Sequence, residues 1–160
     1  MSLYNEVVGD VIQVAREMVK SNRCVVIPHV CNNHGVMGAG VAAALAKEWP
    51  VILPAYRTLC DEGSCLGFAT SIRVESGIMV YNMIAQDGFG SDVRPPIRYA
   101  ALATCMTKLA VGSKQYPMHI VAPRFGSGLA GGDWHVIWQL IREVWLDAGI
   151  RVTVVTYGAV

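Results

Sequence analysis

His29-Val30-Cys31-Asn32-Asn33-His34-Gly35-Val36-Met37-Gly38-Ala39-Gly40-Val41 follows the apolar run Cys24-Val25-Val26-Ile27. Pro123-Arg124-Phe125-Gly126-Ser127-Gly128-Leu129-Ala130-Gly131-Gly132-Asp133-Trp134 likewise follows Met118-His119-Ile120-Val121. Each stretch reads as a glycine-rich turn that leaves a strand and opens a helix. A helix start carries unpaired backbone N–H groups and the positive end of the dipole, so it attracts anions. Glycine lets that backbone approach a cluster of oxygens with no Cβ in the way. One such turn is common, whereas two in one short chain point to a ligand with more than one phosphate.

The rest of the composition agrees with a compact domain that binds a small molecule. The chain has 160 residues, 53% of them hydrophobic and 16% charged, against a usual charged share of about 25%. A chain of this length buries roughly 70% of its unfolded surface, so a large core under a lightly charged surface is expected. The formal net charge is +1 and no basic run or stripe occurs, which argues against extended nucleic acid as a partner. The apolar stretches are strand-length, far short of the ~20 residues of a membrane span. Met1-Ser2-Leu3-Tyr4-Asn5-Glu6 has neither the basic start nor the apolar block of a signal peptide, so a cytoplasmic location is expected. The five cysteines, at positions 24, 31, 60, 65 and 105, form no Cys-x-x-Cys pair. Cys60 and Cys65 have the spacing of some metal or redox pairs, but no second His or Cys pair completes a site. They read as small buried hydrophobes in a reducing compartment, and neither a metal nor a cofactor is expected.

Strand-like and helix-like stretches alternate. Residues 3–8 read as a strand that ends at Gly9-Asp10, after which Val11, Val14, Met18 and Val19 recur at helical spacing. A strand over 24–30 leads into the first turn. An alanine-rich helix over 41–49 is broken by Pro50, and a second short helix runs through Tyr56 and Leu59. Residues 67–74 and 78–84 read as strands joined through Glu75-Ser76-Gly77, a hairpin signal. A polar, Gly/Pro-rich loop over 86–96 follows. Helices are predicted over 97–111 and 133–148, and strands over 118–122 and 151–157. No linker or repeat divides the chain. A hairpin inside an alternating pattern predicts a mixed, mostly parallel central sheet with helices on both faces, a three-layer α/β/α domain spanning 1–160.

Known phosphate motifs separate from these turns. Neither contains Gly-Lys-Ser/Thr, so neither is a P-loop. Gly126-Ser127-Gly128-Leu129-Ala130-Gly131 matches G-x-G-x-x-G, but a dinucleotide fold places that motif early, with an acidic residue about 20 positions on. Here one strand remains after the motif, and Asp147 sits at a helix end. Ser127 is not a nucleophile elbow, because Phe125 stands where G-x-S-x-G needs glycine.

Taken together the elements resemble the macro domain, the ADP-ribose-binding fold, over essentially the whole chain. The resemblance implies that Asp10, with Val11 beside it, meets the adenine and that Asn32 meets the distal ribose. It assigns Gly38, Ala39, Gly40 and Val41 of the first loop to the ligand. It does the same for Gly126, Ser127, Gly128, Leu129, Ala130 and Gly131, the loop that wraps the diphosphate. His29-Val30-Cys31-Asn32, Asn82-Met83-Ile84-Ala85-Gln86, Pro96-Ile97-Arg98-Tyr99 and Gly128-Leu129-Ala130-Gly131-Gly132-Asp133-Trp134 are similar to one branch of the family. That branch holds terminal ADP-ribose protein glycohydrolase and the ADP-ribose 1''-phosphate phosphatases. It implies a hydrolase that removes ADP-ribose from acidic side chains, with the phosphatase and a non-catalytic reader as alternatives. The partner implied is ADP-ribose or an ADP-ribosylated protein.

Departures from the family bear on the chemistry. The Asp that some macro hydrolases carry after Gly-Gly-Gly-Val is Ala42 here. The lysine and Asp of the vertebrate glycohydrolase fall on Ala85 or Gln86 and on Ala130, so lysine-adduct chemistry is not expected. The aromatic residue near the adenine falls on Val155, with Tyr157 two residues on.

Each candidate also has a purely structural role. Asp10 before an apolar helical run is a natural N-cap, as is Asp133, and Asn32 suits an Asx-turn. His29 fits a core histidine as well as an acid or base. His34 in the loop is better placed for proton transfer than His29. Asn32, His34 and Asp133 are therefore the candidate catalytic residues, with Gln86, Asp87 and Arg98 at the distal-ribose end. Trp134, Trp138 and Trp145 read as core.

Overall fold

The computed structural model describes residues 2–61, 63–88 and 95–158; residues 89–94 of the predicted polar loop lie outside them. Along the chain run β1 (Tyr4–Gly9), α1 (Val11–Lys20), β2 (Val25–Asn32), α2 (Gly40–Glu48), α3 (Ile52–Cys60), β3 (Ala69–Glu75) and β4 (Ile78–Gln86). There follow α4 (Tyr99–Ser113), β5 (His119–Pro123), α5 (Trp134–Leu140), a π-helical segment (Ile141–Leu146) and β6 (Val152–Tyr157). The strands form one sheet in the order β1-β6-β5-β2-β4-β3. Every neighbouring pair is parallel except β3 with β4. Those two are the predicted hairpin, and Gly77 at its turn has φ +82°, a conformation that favours glycine.

Alternation along the buried strands sends side chains into two cores. Val25, Ile27, Ile78 and Val80 face Ala15 of α1, Leu45 of α2 and Tyr56 of α3. Val26, Tyr81, Met83 and Ile120 face Leu102 of α4, Ile137 of α5 and Trp145. Helices α1–α3 thus cover one face of the sheet, and α4, α5 and the π segment the other, which is the three-layer arrangement the sequence predicts. No described helix is long and apolar enough to cross a membrane.

Two elements differ from the sequence reading. Strand β2 runs on through Cys31 and Asn32, because β4 continues beside it past an irregularity in register between those two residues. The predicted helix over 133–148 changes form after Leu140, where Asp147 N donates to Arg142 O at 2.8 Å. This widened turn accompanies full burial of Ile137, Ile141 and Trp145, spaced four apart. The Trp145 indole donates to Met106 O at 3.0 Å. Trp134 and Trp138 pack partly buried against the same core.

Candidate functional site

The parallel strands deliver Asn32, Gln86 and Pro123 to one edge of the sheet, at the C-terminal ends of β2, β4 and β5. Strands β2 and β5 are neighbours, yet the chain leaves β2 toward α2 on one face and leaves β5 toward α5 on the other. Diverging connections at a sheet's carboxyl edge open a crevice where α/β folds bind ligands. A cleft of about 890 Å³ lies there, within the roughly 300–1,000 Å³ of small-molecule sites.

Its walls are the two glycine turns. Gly38, Ala39, Gly40 and Val41 line one side, and Gly126, Gly128, Leu129 and Ala130 the other, with Asn32 at the base. Helix α2 starts at the cleft with Ala39 at its N-cap and no side chain capping it. By contrast, α1 and α5 are capped by Asp10 and Asp133. Among the described residues, the N–H groups of Ser127, Gly128, Leu129 and Ala130 find no backbone partner. The second turn is held open by bonds elsewhere: Gly132 N donates to Gly126 O at 2.8 Å and Gly131 N to Gly128 O at 2.9 Å. A Cβ on Gly132 would collide with the Gly126 carbonyl, so this closure requires glycine. Both turns therefore present donors to the cleft, and the apolar side chains of Val41 and Leu129 stand exposed at its rim.

The first turn is shaped by Asn32. Its Oδ1 accepts from His34 N at 2.9 Å, and its Nδ2 donates to Val36 O at 2.8 Å. The buried Tyr56 hydroxyl lies 2.6 Å from both Asn32 Oδ1 and Asn32 O, and it accepts from Gly35 N at 2.9 Å and Val36 N at 3.1 Å. Asn32 is thus an Asx-turn residue that also lines the cleft. Behind it, Asn33 ties the turn to the end of β4: its Nδ2 donates to Asp87 Oδ1 at 3.1 Å, and its Oδ1 accepts from Gly88 N at 2.9 Å. Asp87 pairs with Arg98 at 3.5 Å.

Other predicted residues fall elsewhere. Asp10 and Val11 follow β1, at the far edge of the sheet beyond β6, and do not line the cavity. Both N-cap bonds of Asp10, from Ile12 N at 2.9 Å and Gln13 N at 3.1 Å, go to Oδ1. Asp133 accepts from His135 N at 2.9 Å, and its own N–H donates to the Tyr99 hydroxyl at 2.8 Å. His34, Ser127, Gly131 and Asp133 are not in the lining. Val155 is buried and Tyr157 exposed.

The titratable groups that line the cleft are His29, Cys31 and Arg124, with no carboxylate among the described lining residues. His29 Nε2 donates to Asn82 Oδ1 at 2.5 Å, while Asn82 Nδ2 donates to Ile52 O and Thr70 Oγ1, each at 3.1 Å. Burial pulls the imidazole down to about 4, with the Asn82 bond opposing, so it stays neutral and structural at physiological pH. Burial pushes the Cys31 thiol well up, which removes it as a nucleophile. Arg124 lies 5.0 Å above the Trp134 ring and 3.5 Å from Glu6 Oε1. Sequence reasoning passed over Arg124; the signal was its position directly after a strand end.

His29 carries a pH prediction. A histidine held neutral in the fold contributes stability that is present above its unfolded value of about 6.5 and lost as pH falls toward the folded value. Lowering pH from 6.5 to 5 should cost about 1.5 kcal/mol through this residue. Urea unfolding across that range checks it. His29→Gln keeps a donor for Asn82 but cannot titrate, and should flatten the slope by that amount; equal slopes would contradict the assignment.

No protein-family model matches the chain. A protein of unknown function from Bacteroides thetaiotaomicron superposes with a TM-score of 0.85 at 34% identity, over 96% of this chain and 97% of that one. Among curated proteins, an ADP-ribose 1''-phosphate phosphatase of Aspergillus clavatus is 27% identical over 176 residues, 80% of this chain and 84% of that protein. A macrodomain protein from Streptomyces coelicolor is 30% identical, with a TM-score of 0.78 over 97% of this chain and 99% of its own. Identity at that level, across nearly the full length of both chains and on the same fold, makes this chain a member of the macrodomain family.

Proposed function

We propose that the cleft binds ADP-ribose and that the protein hydrolyses the bond at the distal ribose, freeing ADP-ribose from modified acidic side chains. The observation that carries this reading is the pair of facing glycine turns, each offering backbone N–H groups to one cavity. Two linked phosphates fit donors arriving from both walls, with Arg124 as the neighbouring cation. Asn32 at the base fixes the distal ribose, and the adenine end runs out of the cleft past β6 to the end of β1, where Oδ2 of Asp10, left over from capping, takes its amino group.

The chemistry follows from what the lining lacks. Among the described lining residues, a buried neutral His29, a protonated Cys31 and no carboxylate provide neither a strong base nor an acid to protonate a departing atom. A glutamate carboxylate, with a pKa near about 4.3, leaves as an anion and needs no proton. Water adds its oxygen to the anomeric carbon, the bond from that carbon to the ester oxygen breaks, and the water proton passes to a diphosphate oxygen of the substrate. Alignment rather than charge is the contribution of the protein.

The second reading is hydrolysis of ADP-ribose 1''-phosphate, favoured by the name of the Aspergillus clavatus relative. It shares the anionic leaving group. A panel of ADP-ribosylated glutamate, ADP-ribose 1''-phosphate and free ADP-ribose separates the cases. Turnover of the glutamyl ester is expected. Release of phosphate alone supports the second reading, and binding without turnover makes the protein a reader. His34→Ala and Asp133→Asn belong in the same panel as proton-transfer tests.

A further inference from the structure

Between the cleft and the end of β1 lies a surface that the two glycine turns do not use. From β5 to β1 is two strand spacings, about 10 Å, with β6 between them, a distance that one nucleoside spans. Arg124 stands at the near end, where it lines the cleft. Its guanidinium lies 5.0 Å above the Trp134 ring, and its Nη2 stands 3.5 Å from Oε1 of Glu6 on β1. The side chain therefore reaches from β5 across β6 toward β1.

Alternation along β1 settles what lies beside it. Tyr4 packs against the core under α5 and Val7 against the opposite core, so Glu6 and Val8 share the α5 face with Trp134. Val8 is 76% exposed, an apolar side chain open to solvent two residues short of Asp10. Strand β6 offers no flat surface on this face. Val155 is buried in the core on the other side, and Tyr157, two residues on, follows it there.

The guanidinium is held in place without being covered. Trp134 lies on one side of it and Glu6 pairs with it, yet the side chain keeps 44% of its surface exposed. So open an ion pair contributes little to stability. What it leaves available is a planar, delocalised surface on which a nucleobase stacks, a surface that lysine does not offer.

We infer that Arg124 selects a ligand bearing a purine: the adenine lies on a shelf made by the guanidinium and Val8, with its amino group at Asp10. The inference rests on the ADP-ribose reading of the cleft and adds the surface that reads the base. Trp134 and Glu6 act as positioning residues that hold the plane ready before the ligand arrives. A purine covers both Val8 and the guanidinium, whereas a pyrimidine covers less of the shelf.

Calorimetry on the intact protein with ADP-ribose, ADP and CDP tests this. ADP and CDP share a diphosphate and an exocyclic amino group and differ in the stacking area of the base. The parent should bind ADP about tenfold more tightly than CDP, the scale of one stacked base. Arg124→Lys keeps the charge beside the phosphates and loses the plane. It should weaken ADP-ribose about tenfold, as far as Arg124→Ala does, and bring ADP and CDP close to level. Parent-like affinities in Arg124→Lys, a loss confined to Arg124→Ala, or ADP and CDP bound alike by the parent would overturn the shelf and leave the ADP-ribose reading standing. A parent that binds no ADP-ribose would overturn that reading, and this inference with it.

Discussion

Gly128→Glu is expected to abolish ADP-ribose binding, by about a thousandfold or more, in a protein that still folds. A Cβ at Gly128 meets nothing within 4 Å, and its backbone is not in the left-handed region. The side chain therefore enters without strain, and its carboxylate stands among the open N–H groups where the diphosphate belongs. Like charges facing each other in a desolvated interface cost several kcal/mol, and about 4 kcal/mol is a thousandfold. Neighbouring glycines are poor probes. Gly126 has φ +78° and a Cβ there would stand 3.0 Å from Ile137 Cδ1, so its loss disturbs the core as well as the cleft. Circular dichroism should show an intact fold and calorimetry no binding. A folded variant that binds ADP-ribose as well as the parent would show that the second turn is only a helix start.

Asn32→Ala is expected to lower turnover about a hundredfold, the scale of a misalignment of about 1 Å. The affinity for ADP-ribose should fall much less, by the 0.5–1.5 kcal/mol of about one hydrogen bond. The second turn and the uncapped start of α2 still hold the diphosphate, while the distal ribose loses its anchor. The Asx-turn adds a second consequence. Removing the amide takes the side-chain partner from His34 N and Val36 O, while the Tyr56 hydroxyl keeps the carbonyl of residue 32, and the melting temperature should fall too. Kinetics at saturating substrate, beside calorimetry, separates the two effects. Turnover unchanged in this variant would contradict the placing of the ribose, and equal losses in turnover and affinity would point to a reader.

Much of this was legible in the sequence because it rests on local signals. Strand β2, the hairpin through Gly77 and the capping aspartates are each written in a few adjacent residues. The two turns were visible as glycines between a strand and a helix. What was not legible depends on the sheet order. Arg124 looks like any surface cation until β5 is known to lie beside β2, and Tyr56 looks like one apolar residue of a short helix until its hydroxyl meets Asn32. The neutral state of His29 comes from its burial in the folded core, and its partner Asn82 stands 53 residues away. The change of helical form after Leu140 leaves no mark on apolar spacing, since Ile137, Ile141 and Trp145 suit a regular helix as well.

Calorimetric titration with ADP-ribose, set beside AMP, tests the central claim most directly. A ligand specific for the fold stabilises it by RT ln(1 + [L]/Kd), about 2.7 kcal/mol at a hundredfold excess over Kd. In a chain of this size that raises the melting temperature by several degrees, at roughly 2–4 °C per kcal/mol. Saturable binding of ADP-ribose is predicted, with AMP weaker because it brings one phosphate to two facing turns. No heat and no thermal shift at millimolar ADP-ribose would contradict the assignment of the cleft.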